Sequence, residues 1–216
     1  MYLVFDGPDC VGKSTQVRLL KQRLEASGQK VVITKEPGSE WDPVCQQIRS
    51  LILDPNNKIE RRAALFLFLA DRAQHIEFVR KKLYFGYTVI SDRSSISTWV
   101  YYMAEFKPEL MDMEDWVCNS IDRAQQIAPD LGFICNAPFE WRKEKLAKRL
   151  NMDRIEQFDD AFHIRVGELF ADAENLRGKM HLLPRELKLL PPTSSCSVEE
   201  MSELIWDIVN GNSGNQ

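Results

Sequence analysis

The stretch from Gly7 to Ser14 combines two glycines, a lysine and a hydroxyl at a fixed spacing, Gly-Pro-Asp-Cys-Val-Gly-Lys-Ser. Glycine adopts backbone angles that side chains disfavour, so successive amide N–H groups of this loop can turn inward around anionic oxygens. Lys13 adds a positive charge and Ser14 a ligand for Mg²⁺. An apolar run before the loop and an amphipathic run after it favour a phosphate-binding loop over a glycine turn that binds nothing. The expected phosphate contacts are Gly7, Asp9, Cys10, Val11, Gly12, Lys13, Ser14 and Thr15.

A second polar segment follows the apolar run at residues 31–34 and contains Glu36, Pro37 and Gly38. A residue before proline avoids helical angles, so Glu36 is expected in an extended or turn conformation, with either a trans or a cis bond to Pro37. Taken alone, this segment is an ordinary turn. Arg49, a little further on, is most simply a solvated helix charge.

A third segment lies inside a long helical pattern, where an apolar face is interrupted by Asp71, Arg72 and His75. Asp71 and His75 are four residues apart and share a helix face, so they can form an intrahelical ion pair beside a core Phe68. The functional alternative has Phe68 stacked on a planar base while Arg72 holds a phosphate or a base oxygen.

A fourth segment, Asp92-Arg93, ends an apolar run and precedes a Ser-rich turn and an aromatic helix. A carboxylate at a strand end near a phosphate loop suits the shell of a magnesium ion, and a guanidinium suits an acceptor phosphate. The alternative is a surface ion pair between Asp92 and Arg93.

A basic connection at Lys145 to Gln157 includes Lys148, Arg149 and Arg154. Charge runs of this kind are usually solvated faces. A basic segment that joins two helices above a phosphate site can instead close as a lid and neutralise charge in the transition state. We favour the lid, over residues 143–157.

Short apolar segments alternate with helical patterns along the chain. The predicted strands are Leu3 to Phe5, Val31 to Thr34, Val89 to Ser91, Leu131 to Cys135 and Met180 to Leu183. The predicted helices are Lys13 to Ala26, Lys58 to Phe85 in one or two pieces, Pro138 to Leu150, Phe158 to Leu176 and Val198 to Val209. This alternation predicts an α/β fold with a buried parallel sheet, whose ligands collect beyond the carboxyl ends of its strands.

The chain has 216 residues, a formal charge of -4 and a pI near 5.5, which fit one domain without a broad basic surface for duplex nucleic acid. A local basic pocket remains compatible with this charge. The five cysteines lack C-x-x-C spacing, which favours a reducing compartment and no metal cluster. With no leader pattern and no apolar run long enough to span a bilayer, we expect a soluble, cytoplasmic protein that binds neither nucleic acid nor membrane.

In order and spacing, these pieces resemble the thymidylate kinase family. The matching blocks are GPDCVGKST, TKEPG, IRSLIL, FLFLADRAQHI, SDRSSISTWVYY, PDLGFIC and DRIEQ. The resemblance implies a three-layer P-loop NTPase fold with a five-stranded parallel sheet, a single kinase domain over residues 1–210 and a flexible tail at 211–216. It also implies ATP with Mg²⁺ as phosphoryl donor and dTMP as acceptor, a role in nucleotide biosynthesis, and a homodimer.

The resemblance also assigns roles to single residues. Lys13, Ser14 and the loop amides match the groups that hold ATP phosphates and magnesium, with Asp92 beside the metal. Asp9 matches the loop position that contacts the 3′-hydroxyl of the acceptor sugar.

The acceptor pocket is matched by further residues, with Glu36, Pro37 and Ser97 among its walls. Phe68 matches the aromatic residue that stacks on thymine, Arg72 and Arg93 match arginines of the base and phosphate pocket, and Arg49 is a weaker match. Tyr101 matches the tyrosine that crowds the sugar 2′ position, although it could also be a packed helix residue. Members of the family carry the arginine that stabilises the transition state either in the P-loop or in the lid. This chain has Cys10 at the P-loop position, so Arg149 matches the lid arginine, with Arg154 assisting it.

Two departures bear on base selectivity. Lys35 replaces the usual arginine of T-R-E-P-G and cannot form a bidentate fork. Tyr102 stands where a glutamine would approach the base. They leave open a kinase for a modified pyrimidine deoxynucleotide or a deoxynucleoside. A non-catalytic nucleotide-binding module is a more distant alternative. The absence of an N-K-x-D segment disfavours a signalling GTPase.

Overall fold

A five-stranded parallel sheet lies at the centre of the computed structural model, which describes residues 1–105 and 113–211. Its strands are β1 (Tyr2–Asp6), β2 (Val31–Lys35), β3 (Thr88–Asp92), β4 (Leu131–Ile134) and β5 (Glu186–Leu189). Their order is β2-β3-β1-β4-β5, and every neighbouring pair is parallel. The predicted α/β class and five-stranded parallel sheet are confirmed.

Helices cover both faces of this sheet. They are α1 (Lys13–Ala26), α2 (Pro43–Leu53), α3 (Arg61–Tyr84), α4 (Ser95–Ala104), α5 (Glu114–Gln125), α6 (Phe139–Leu146), α7 (Asp160–Ala171) and α8 (Val198–Val209), with a 3₁₀ helix at Ala173–Gly178. No helix in the described ranges is long and apolar enough to cross a membrane.

The central strand β1 is buried on both faces, which explains its unbroken apolar sequence. Leu3 and Phe5 pack with α1 and α8 on one face, while Tyr2 and Val4 pack with α3 on the other. A separate apolar cluster joins α4, α5 and α7. The sheet is therefore the middle of three layers.

The predicted bounds of α1, α3 and α8 are confirmed, whereas those of the two predicted helices between residues 138 and 176 need correction. α1 and α8 begin and end as predicted, and α3 is a single helix within the predicted 58–85. α6 ends at Leu146 instead of Leu150, because the backbone N–H groups of Lys148 and Arg149 donate to carbonyl oxygens three residues earlier, which closes tight turns in place of an α-helix. The predicted helix 158–176 is divided into α7 and the 3₁₀ helix. Of the predicted tail 211–216, residues 212–216 lie outside the described residues.

The prediction for the last strand is wrong. The apolar residues Met180 and Leu183 are buried beside the α4–α5–α7 cluster but do not join the sheet. The backbone N–H groups of His181 and Leu182 instead donate to the Asp122 carboxylate, at 2.7 and 3.1 Å. The true strand β5 lies at the sheet edge and is partly exposed, so its sequence Glu-Leu-Lys-Leu lacks a continuous apolar run.

The strand register brings the chemically important segments to one edge of the sheet. Phe5 of β1 and Lys35 of β2 both pair with Asp92 of β3. The loop after β1 therefore lies between the segments that follow β2, β3 and β4, all at their carboxyl ends.

Candidate active site

A cavity of about 480 Å³ opens at this edge of the sheet. The loop after β1 forms one end, and α3, α4 and the lid segment form the other walls. Most predicted site residues line it: Asp9, Cys10, Val11, Gly12, Lys13, Ser14, Thr15, Glu36, Pro37, Arg49, Phe68, Arg72, Asp92, Arg93, Ser97, Tyr101 and Arg149. Gly7 lies at the base of the loop, and Tyr102 and Arg154 lie outside the cavity.

The phosphate-binding loop depends on its two glycines. Gly7 has a φ of +141°, and a Cβ atom there would lie 1.9 Å from the carbonyl oxygen of Cys135, so no larger residue fits. Gly12 has a φ of +82° and precedes the first residue of α1. The N-terminal amides of this helix point toward the cavity end, where a helix dipole attracts anions.

Lys13 is buried and already oriented. Its Nζ donates to the carbonyl oxygens of Gly7 and Pro8, at 3.0 and 2.7 Å. Burial and the nearby positive charge of Arg93 lower the pKa of Lys13. Next to it, the Ser14 hydroxyl donates to the Asp92 carboxylate at 2.6 Å. A hydroxyl and a carboxylate oxygen therefore lie side by side at the phosphate end.

Arg93 connects the loop to α4. Its Nη2 pairs with Asp9 at 2.5 Å, and its Nη1 donates to the Gly7 carbonyl at 2.8 Å. The Tyr101 hydroxyl donates to the other oxygen of Asp9 at 2.8 Å. Burial alone would raise the pKa of the Asp9 carboxyl, but the charges of Arg93 and Lys13 hold it well below its usual range. Arg93 thus pairs with Asp9 instead of forming a surface pair with Asp92.

Asp6 is an anchoring residue that sequence reasoning missed. Its buried carboxylate accepts hydrogen bonds from the backbone N–H and hydroxyl of Ser94 and of Ser97, at 2.5 to 3.1 Å. These contacts bind the first turn of α4 to the end of β1. The available signal was a carboxylate in an apolar strand, directly before the glycine loop.

The far wall of the cavity contains Phe68 and Arg72, both from α3. Arg72 is 1% exposed; its Nη1 donates to the Thr98 hydroxyl at 3.0 Å, and its Nη2 pairs with Glu36. Its Nε has no hydrogen-bond partner among the described residues. A buried, oriented guanidinium beside an aromatic ring can receive a planar, oxygen-bearing ligand.

Glu36 lies between Arg72 and His75, whose Nδ1 is 2.9 Å from Glu36 Oε1. Burial would raise the pKa of Glu36, but Arg72 and the His75 hydrogen bond lower it to about 2. Asp71 accepts from the backbone N–H of Gly38, and burial together with the charge of Glu36 raises its pKa to about 6. Asp71 and His75 therefore contact different partners instead of each other.

Arg49 supports the turn that carries Glu36. Its Nη1 donates to the Pro37 carbonyl at 2.8 Å, and its stem packs against Gly38, which has a φ of +84°. The Glu36–Pro37 bond is cis, one of the two alternatives expected. Arg49 is half-buried in this position, not a solvated helix charge.

The lid segment contributes Arg149, which pairs with the buried carboxylate of Glu156 at the cavity wall. Arg154 lies elsewhere, with its Nε donating to the Ile52 carbonyl at 2.9 Å. It lines a small neighbouring crevice together with Tyr102, whose ring packs under the Arg61 guanidinium at 4.1 Å.

Contrary to expectation, Tyr102 does not enter the main cavity, because burial against Arg61 turns it to the other side of α4. Thr98, Asp153 and Glu156 also line the cavity, although they were not among the predicted site residues.

Comparison with known proteins agrees with this geometry. A family model described as thymidylate kinase matches residues 5–189. A thymidylate kinase of Cutibacterium acnes is 33% identical over 214 residues, which cover 98% of this chain and 97% of the relative. One from Chlamydia trachomatis is 36% identical over 79% of this chain and 83% of the relative, and one from an Exiguobacterium species is 34% identical over 77% of each.

Proposed function

The chain belongs to the thymidylate kinase family, and on this premise we propose that it transfers the γ-phosphoryl group of ATP to the 5′-phosphate of dTMP, giving ADP and dTDP. One observation carries the proposal most directly. One cavity has a phosphate-binding loop at one end and, facing it, the buried cation Arg72 and the half-buried cation Arg93. Such an arrangement suits two nucleotides whose phosphates meet head to head.

At the donor end, the loop amides and Lys13 bind the ATP phosphates. Ser14 and Asp92 offer a hydroxyl and a carboxylate oxygen close together, the hard ligands that Mg²⁺ accepts when phosphates and water supply the rest. The donor set therefore fits this ion, which when bound would offset phosphate charge.

At the acceptor end, Phe68 stacks on the base. Arg72 offers to a base or phosphate oxygen its Nε, which has no partner within residues 1–105 and 113–211. Asp9 accepts from the sugar 3′-hydroxyl, and the ring of Tyr101 crowds the 2′ position. This wall selects a deoxyribonucleotide for a steric reason.

In the reaction, an acceptor phosphate oxygen forms a bond to the γ-phosphorus while the bond from that phosphorus to the β–γ bridging oxygen breaks. Phosphoryl transfer needs little covalent help from the protein, because in-line positioning and charge neutralisation account for most of the rate. Lys13 and Arg93 are oriented before the substrates bind. Arg149 exchanges Glu156 for the transferring phosphoryl group when the lid at 143–157 closes, and Arg154 anchors that segment through Ile52.

The proposal includes a cytoplasmic homodimer that acts on small nucleotides. Exposed apolar side chains on α2, α3 and α5, among them Val44, Leu51, Phe66 and Trp116, supply an isologous face of the required kind.

The test is a panel of acceptors assayed with Mg-ATP: dTMP, dUMP, 5-substituted dUMP and thymidine. We expect the highest kcat/KM with dTMP. A Lys13→Ala protein purified in parallel controls for contaminating kinases and should show no transfer above background. Transfer to thymidine with none to dTMP would contradict the proposal, and so would preference for a dUMP whose 5-substituent is not methyl.

A further inference from the structure

His75 is fully buried behind the acceptor wall and touches no part of the cavity. Its two ring nitrogens have separate partners. Nδ1 lies 2.9 Å from Glu36 Oε1, and Nε2 lies 2.8 Å from the Thr34 hydroxyl. The Thr34 hydroxyl in turn lies 3.1 Å from that of Ser39, which is also buried.

These partners determine where the histidine carries its proton. A carboxylate only accepts hydrogen bonds, so Nδ1 must donate to Glu36. The Thr34 hydroxyl donates to that of Ser39, so an oxygen lone pair of Thr34 faces Nε2. The Nδ1–H that donates to Glu36 is therefore part of a chain of buried polar contacts that runs from Ser39 to the carboxylate.

Glu36 connects His75 with Arg72, which lines the cavity. Its second carboxylate oxygen pairs with Arg72 Nη2, while Thr98 holds Nη1. The orientation of the guanidinium therefore depends on where Glu36 is held. A buried carboxylate with one oxygen unpaired would be free to turn away from Arg72.

We propose that His75 is a positioning residue for the acceptor nucleotide: its Nδ1–H fixes Glu36, which in turn fixes Arg72 against the acceptor. The inference rests on the proposed dTMP kinase activity. It differs from a packing role because it requires one particular nitrogen of the ring.

Two substitutions separate the nitrogens. The side-chain amide N–H of asparagine takes the position of Nδ1–H and can still donate to Glu36. The amide of glutamine is one carbon longer and takes the position of Nε2 instead. His75→Asn should keep the dTMP KM within about threefold, and His75→Gln should raise it about tenfold or more through the lost bond to Glu36. For both, kcat and the ATP KM should stay within about twofold, because the donor end is untouched. His181→Asn and His181→Gln, at an exposed histidine, are the matched controls.

The outcomes are distinguishable. If the wild-type protein does not phosphorylate dTMP, the proposed function fails. If it does, but His75→Asn and His75→Gln raise the dTMP KM equally or not at all, or mainly weaken ATP binding, the positioning role is overturned. Should substitution of His75 prevent folding, as judged by thermal melting, Thr34→Val removes the hydroxyl that contacts both Nε2 and Ser39. It should raise the dTMP KM roughly threefold at unchanged kcat, and an unchanged KM would overturn the inference.

Discussion

The two ends of the cavity are built in different ways. The donor end is made mostly from one contiguous segment, residues 7–15, and its contacts come largely from backbone groups; even Lys13 is held by carbonyl oxygens. The acceptor end gathers side chains from β2, α2, α3 and α4 and ties them with buried ion pairs, among them Arg72 with Glu36. A backbone site is local in sequence, whereas a site made of charged side chains exists only once the chain has folded.

This difference has electrostatic consequences. At the acceptor end, Arg72 and Arg93 are each paired with a carboxylate, and one further carboxylate, Asp71, is buried beside Glu36 at a raised pKa. The acceptor wall is therefore expected to be more sensitive to pH and to single substitutions. Three predictions test this comparison.

The largest effect is expected where the two ends meet. Arg149→Ala should lower kcat by about 10³ with less than about a threefold change in the dTMP KM, because the proposed contact forms mainly in the transition state. Steady-state kinetics with both substrates varied measures this.

Arg149→Lys separates charge from geometry, and Arg165→Ala removes an exposed arginine of α7 that is paired with Glu168. Lysine should restore only part of the rate, since it lacks the planar fork. An Arg149→Ala protein with wild-type kcat would show that the donor and acceptor ends suffice without the lid.

The next effect isolates the acceptor end. Phe68→Ala should weaken dTMP binding roughly 30-fold and leave ATP binding unchanged, because base stacking on an aromatic ring contributes about 1–3 kcal/mol. Equilibrium titration of each nucleotide measures the two affinities separately.

Tyr84→Ala is a matched control on the same helix, because Tyr84 is 86% exposed, its ring contacts that of Phe85, and it does not line the cavity. It should change neither affinity. A selective loss of ATP affinity in Phe68→Ala would reverse the assignment of the two ends.

The smallest effect concerns stability and Asp71. Its pKa is raised from 3.8 to about 6, so the folded protein binds this proton more tightly than the unfolded chain does. The associated stability is fully present below pH 3.8 and is lost as the pH rises through about 6. Asp71→Asn still accepts from Gly38 but carries no charge. At pH 8 it should be more stable than wild type by roughly 1–2 kcal/mol, less than the full shift because cavity water relaxes the burial cost.

Urea unfolding at pH 4, 6 and 8 measures this difference, which should shrink toward pH 4. Asp207→Asn, at an exposed carboxylate of α8, is the control and should show no such pH dependence. Equal stability of Asp71→Asn and wild type at pH 8 would show that the acceptor wall carries no excess charge cost.

Much of the fold was predictable because its signals are local. The apolar run of β1, the glycines of the loop, the amphipathic pattern of α1 and the capped amphipathic pattern of α8 each depend on neighbouring residues. The edge strand β5 was not predictable, because a half-exposed strand needs no continuous apolar run and the apolar residues Met180 and Leu183 before it are buried without pairing in the sheet.

The sequence by itself determined the parallel α/β architecture, the position of the phosphate-binding loop and the family resemblance, since these depend on backbone preferences and apolar periodicity over short stretches. Only the tertiary structure decided which charged side chains meet. It turned Tyr102 away from the cavity, paired Arg93 with Asp9, and placed Asp6 and His75 as buried anchors. The physical reason is that a buried charge must find its partner across elements far apart in the chain, and no local pattern records that partner.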